Sequence, residues 1–117
     1  MSKLKEAIED LLNNRKLTVD EAADKHFTPD FRQRTNGSWD DRIAVIARIT
    51  DLREVIAQVT VTILNEFDNA KSYAKRHIIE IVKHDGERIC QEVFVFAERD
   101  NDQRFTQIEE TTLKLDT

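Results

Sequence analysis

The second half of the chain constrains the fold most. From Ile56 to Leu115 it runs as four strand-like segments separated by short polar turns, and three amphipathic helical segments precede them. Helices first and hairpin-linked strands after is the order of a one-sheet α+β domain, with three N-terminal helices packed on one face of an antiparallel sheet. A helix layer over a curved sheet encloses a pocket, and His77, Glu92 and Glu110 are polar residues inside otherwise apolar strands. The expectation is a fold with a pocket whose ligand stays open.

The first helix is predicted from near Ser2, with Leu4, Ala7, Ile8, Leu11 and Leu12 recurring at three- and four-residue spacing. Thr18 followed by Glu21 is a capping box that starts the second helix, and Pro29 stops it at about Phe27 by forcing Thr28 out of helical geometry. A short strand is predicted over Asp30–Thr35, then a turn at Asn36-Gly37, where both residues tolerate positive φ. A third helix is expected at once, capped by Ser38 and Asp41. Its two apolar faces, one carrying Trp39, Ile43, Ile46 and Ala47 and the other Val45, Ile49 and Leu52, predict burial on more than one side.

The four strands are predicted over Ile56–Phe67, Tyr73–Lys83, Arg88–Arg99 and Arg104–Leu115, joined by turns at Asp68-Asn69, Asp85-Gly86 and Asp100-Asn101-Asp102. Alternation places Ala57, Val59, Val61, Ile63 and Phe67 on the core face of the first. His77 shares its face with Ile79 and Ile81 and is expected to point inward. The run Ile89–Ala97 is apolar on both faces, which predicts a homodimer through the sheet. For the last strand, alternation alone leaves open which set faces the pocket.

With 117 residues, one domain spanning 1–117 is expected, large enough to be stable without metal or disulfide. The net charge of −5, with basic residues interspersed among acidic ones, argues against nucleic-acid binding. Cys90 is alone, and the start Met-Ser-Lys-Leu-Lys-Glu leads into a charged helix, so a cytoplasmic location is expected. No apolar run approaches the roughly 20 residues that span a bilayer, which predicts no membrane partner.

The segment Phe27-Thr-Pro-Asp-Phe-Arg-Gln-Arg-Thr-Asn-Gly37, a helix ending in Leu52-Arg53, Arg76-His77 within a strand and Ile108-Glu-Glu-Thr-Thr-Leu113 resemble, in order and spacing, the SnoaL-like branch of the nuclear transport factor 2-like superfamily. The resemblance covers nearly the whole chain. It implies a strongly bent antiparallel sheet wrapped as a cone around helices, with a cavity open at one end and pairing through the sheet. It also implies that Gln33, His77 and Glu110 face the cavity. Where ketosteroid isomerases of this superfamily carry a carboxylate base, this chain has Arg34 and Thr35. Polyketide cyclases use an aspartate on the last strand, for which Glu110 is a stand-in, and a histidine one strand earlier, where Phe94 and Phe96 stand here.

His77 and Glu110 are the candidate catalytic pair, since a histidine titrates near working pH and an apolar cavity raises a carboxyl pKa. Gln33, Trp39, Phe31, Glu92 and Phe94 are candidate ligand contacts, and Phe27 and Phe96 are core or cavity residues. His26 is read as capping a helix C-terminus and His84 as solvated. No histidine spacing suggests a metal, and no phosphate-binding or dinucleotide signature is present, so no cofactor is expected. Three classes of function stay open: a cofactor-independent acid–base enzyme of isomerase, cyclase or dehydratase type, a noncatalytic pocket for an apolar or carbonyl-containing small molecule, and a dimeric interaction module.

Overall fold

The structure, a computed structural model, describes residues 3–115; the expected helix start at Ser2 lies outside them. The first helix, α1 (Lys3–Ile8), continues into a π-helical turn, Glu9–Asn13, in which the Asn14 N–H donates to the Glu9 carbonyl at 2.8 Å. Leu4, Ala7 and Leu11 form its buried stripe. The Arg53 guanidinium closes its end by donating to the carbonyls of Asp10, Leu11, Asn14 and Leu17. The Asp10 and Leu11 carbonyls stand at a helix end, which has no internal partner for them, and the Asn14 carbonyl also accepts from the Leu17 N–H at 3.3 Å.

The capping box of α2 (Val19–His26) forms as expected: the Glu21 N–H donates to Thr18 Oγ1, and the Thr18 N–H donates to the Glu21 carboxylate. Strand β1 (Phe27–Thr35) follows without a loop, three residues earlier than predicted. Pro29 is accommodated because the pairing of β1 is irregular between Phe27 and Arg32, where no ladder N–H is required. Asn36 and Gly37 take φ of 49° and 91° and turn the chain into β2 (Ser38–Asp41), an edge strand.

The predicted Ser38–Asp41 cap is therefore corrected. Ser38 to Asp41 pair with β1, and Asp41 alone caps α3 (Arg42–Val55), accepting from the Ala44 N–H at 2.8 Å. The predicted two-sided burial of this helix is corrected as well. Val45 is buried and Ile46, Ile49 and Leu52 are partly covered, whereas Ala47 is exposed and Ile43 is 80% exposed.

Strands β3 (Ile56–Asn69), β4 (Ser72–Lys83), β5 (Arg88–Arg99) and β6 (Phe105–Lys114) form an antiparallel meander. The six strands make one curved, unclosed sheet in the order β2-β1-β6-β5-β4-β3. It is mixed, because β6 returns beside β1 and pairs with it in parallel. Two register shifts in β3, at Ile56/Gln58 and Ile63/Asn65, change which side chains point inward. Ile56, Val59 and Val61 are buried, while Ala57 and Phe67, both expected in the core, are exposed. The helices lie on the concave face, and the architecture is an α+β cone. No helix among the described residues is long and apolar enough to cross a membrane.

Candidate functional site

Between the helix layer and the concave face lies a cavity of about 310 Å³. Its roof is aliphatic, formed by the stripe of α1 and by Val45, Ile49 and Leu52 of α3. The sheet supplies its polar groups. Alternation aims Gln33 and Thr35 of β1, Glu110 and Thr112 of β6, Gln91 of β5 and His77 of β4 inward. The face of the last strand that sequence left open is thus the one carrying Ile108, Glu110 and Thr112.

Glu110 and Gln33 meet because the meander returns the end of the chain to its beginning. Gln33 Nε2 donates to Thr35 Oγ1 at 3.1 Å and to Glu110 Oε1 at 3.3 Å. Burial pushes the Glu110 carboxyl above the ordinary carboxylate range, with the Arg48 charge and the Thr35 hydroxyl partly offsetting the rise. Arg48 reaches the cavity from α3 while its guanidinium is paired with Asp40 at 2.5 Å. Its place was readable from its spacing, three residues after Val45 and four before Leu52.

His77 is 2% exposed, lines the cavity, and has no hydrogen-bond partner at Nδ1. Burial, with the neighbouring Lys75 charge adding to it, pushes its pKa down to about 4, so the ring is neutral at pH 7. Lys75 projects from the same inward face of β4, is 3% exposed, and has no hydrogen-bond partner at Nζ. Its parity with His77 is the sequence signal that marks it. His77 stands in register with Val93, and Val93 with Thr112, two residues beyond Glu110. With strands about 4.8 Å apart and about 3.4 Å per residue, the His77 and Glu110 backbones are separated by roughly 10–12 Å. They face one cavity without touching.

The other candidates lie elsewhere. Glu92 and Phe94, expected as ligand contacts, are on the outer face, since the inward set of β5 is Gln91, Val93 and Val95. Glu92 accepts from Arg76 at 3.0 Å, and Phe94 is exposed. Trp39 sits on the edge strand with the Arg32 guanidinium 4.2 Å from its ring centroid and does not line the cavity. Phe31 is buried against Phe27, ring centroids 3.8 Å apart, and of this pair only Phe27 reaches the cavity. Phe96 is 74% exposed on the outer face.

His26 is not a simple helix cap. Its Nε2 lies 2.7 Å from Asp10 Oδ2, and Lys25 Nζ binds the same oxygen at 2.9 Å and Glu6 at 3.4 Å. Burial raises the Asp10 pKa, but its hydrogen bonds with His26, Lys25 and Asn14 outweigh that effect and hold it at about 2. Glu6, Asp10 and His26 each offer an atom within 4.8 Å of the others, a spacing a cation could use, although the Lys25 ammonium already pairs with both carboxylates. None of the three lines the cavity.

A bent sheet covered by helices, with polar groups aimed into an aliphatic interior, is the cone fold also seen in solved SnoaL-like and ketosteroid isomerase-like proteins. A candidate SnoaL-like polyketide cyclase from Shewanella denitrificans superposes with a TM-score of 0.77 at 12% identity, covering 95% of this chain and 88% of that one. A candidate isomerase from Rhodopseudomonas palustris gives 0.75 at 12% identity over 96% and 90%. A protein of ketosteroid isomerase-like fold from Catenulispora acidiphila, solved with trimethylamine, gives 0.70 at 10% over 93% and 83%. No protein-family model and no curated protein matches the sequence.

Proposed function

We propose that the protein is a cofactor-independent acid–base enzyme of the isomerase or cyclase type, acting on a small apolar molecule that carries a carbonyl group. One observation carries the reading: the Glu110 carboxyl is desolvated at the wall of an aliphatic cavity and held in place by Gln33, with its pKa raised. Such a group is a better base than a solvated carboxylate, and it returns the proton readily because its conjugate acid persists closer to neutral pH. In this reading Glu110 removes a proton from carbon beside the carbonyl and delivers it to a second position. Neutral His77, facing the same cavity, is a hydrogen-bond donor for the oxygen that gains charge. It is not a proton carrier, because its pKa of about 4 is far from working pH.

The test is deuterium incorporation next to the carbonyl of a bound ketone in D₂O, followed by NMR. Wild type is expected to exchange and Glu110→Gln to lose at least about 100-fold in rate with little change in ketone affinity. Equal rates in the two proteins would remove Glu110 from the chemistry. Binding without exchange in wild type would favour the noncatalytic pocket.

We further propose that two copies associate through the outer face of the sheet. Phe67 of β3, Ala74 of β4, Phe94 and Phe96 of β5 and Leu113 of β6 lie there, and Phe67 is 70% exposed. Contiguous apolar surface of this kind is characteristic of a contact surface.

A further inference from the structure

The size and polarity of the cavity specify its ligand more narrowly than a carbonyl-containing molecule, an inference that rests on the functional reading above. At about 310 Å³ the cavity is at the small end of ligand sites. Taking about 30 Å³ per atom at liquid density, and less in a packed interior, it holds roughly 10–15 non-hydrogen atoms. Its lining is aliphatic, with Phe27 the aromatic contribution, so it favours an sp³-rich body over a flat stacked ring system.

Apart from Arg48, Gln91 and Thr112, which also line the cavity, the polar groups stand at two poles. Glu110, Gln33 and Thr35 form one, on β6 and β1. The other is His77 on β4; Lys75, two residues before it on the same inward face, does not itself line the cavity. Lys75 is buried without a hydrogen-bond partner, so its ammonium places a positive field behind the imidazole that Glu66, in register with it on β3, offsets only in part. An oxygen bearing partial or developing negative charge is stabilised at that end, and a cationic group is repelled.

We propose that the cavity takes a monocyclic or open-chain ketone of about ten carbons, its oxygen at the His77–Lys75 pole and its reacting carbon toward Glu110. The volume favours such a ketone over larger fused-ring ketones, and the Lys75 charge disfavours an alkyl amine at the His77 end.

Four probes, decan-2-one, menthone, a four-ring steroid ketone and n-decylamine, are titrated into the full chain and followed by methyl NMR of Ile49, Ile79 and Ile108. The two ten-carbon ketones are expected to bind at least about tenfold more tightly than the steroid or the amine. In Lys75→Met, a replacement of similar length, the preference for ketone over amine is expected to fall about tenfold while cavity methyl shifts persist. A steroid that binds more tightly than menthone overturns the size assignment and leaves the acid–base reading standing. An unchanged ketone-to-amine ratio in Lys75→Met overturns the orientation. If none of the four perturbs the cavity methyls, the small-molecule reading falls with the inference.

Discussion

At the scale of single residues, Lys75 is a costly group in the interior. Burial pushes its pKa down from 10.5 to about 8, with Glu66 opposing the shift and Lys5 adding to it. The unfolded chain therefore holds this proton more tightly than the folded one, and folding is penalised in full below about pH 8. The penalty shrinks between pH 8 and 10.5 and is gone above, where both states are neutral. Lys75→Met is expected to raise stability by about 2–3 kcal/mol at pH 7 and by much less at pH 10.5, measured by urea unfolding. A loss of stability at pH 7 would mean that the folded chain solvates the ammonium.

At the scale of elements, the least conventional device is the end of the first helix. Its π turn and the segment after it leave carbonyls that Arg53, reaching from α3, gathers in one planar fork. Arg53→Ala is expected to cost about 2–4 kcal/mol, and Arg53→Lys to recover less than half, because an ammonium lacks the fork. Equal stability of the three proteins would show that water serves those carbonyls as well. Helices and strands were legible where one local signal spoke alone, as with Thr18 and Glu21 or Asp85-Gly86. They were misread where two signals shared residues. Ser38 and Asp41 have cap chemistry and also sit one turn from a hairpin, and pairing with β1 decided between them. Alternation located His77 but could not choose a face for β5, since Cys90, Phe94 and Phe96 are as apolar as Ile89, Val93 and Val95. That ambiguity sent Glu92 and Phe94 to the wrong side. The meeting of Gln33 with Glu110 depends on the return of β6 to β1, which no local pattern encodes.

At the scale of the whole molecule, the helices cover the concave face and leave the convex one partly apolar. A charge at its centre should prevent the proposed pairing: Phe96→Asp is expected to sediment as a monomer where wild type sediments as a dimer at micromolar concentration, with unchanged circular dichroism. A monomeric wild type would end that proposal. The cavity lies on the opposite side of the sheet, so loss of pairing is expected to leave ketone binding intact.

The two register shifts of β3 bear on a different hazard. This strand is 14 residues long and forms one margin of the sheet, where the backbone groups not taken up by Asn13 and Arg15, which bond Val59 and Ile56, could template the next chain. A straight strand arriving there meets a lattice that falls out of step twice, at Ile56/Gln58 and at Ile63/Asn65. Filament growth from this margin is thereby interrupted at its first step, and the irregularities that turn Phe67 away from the core also keep the sheet finite.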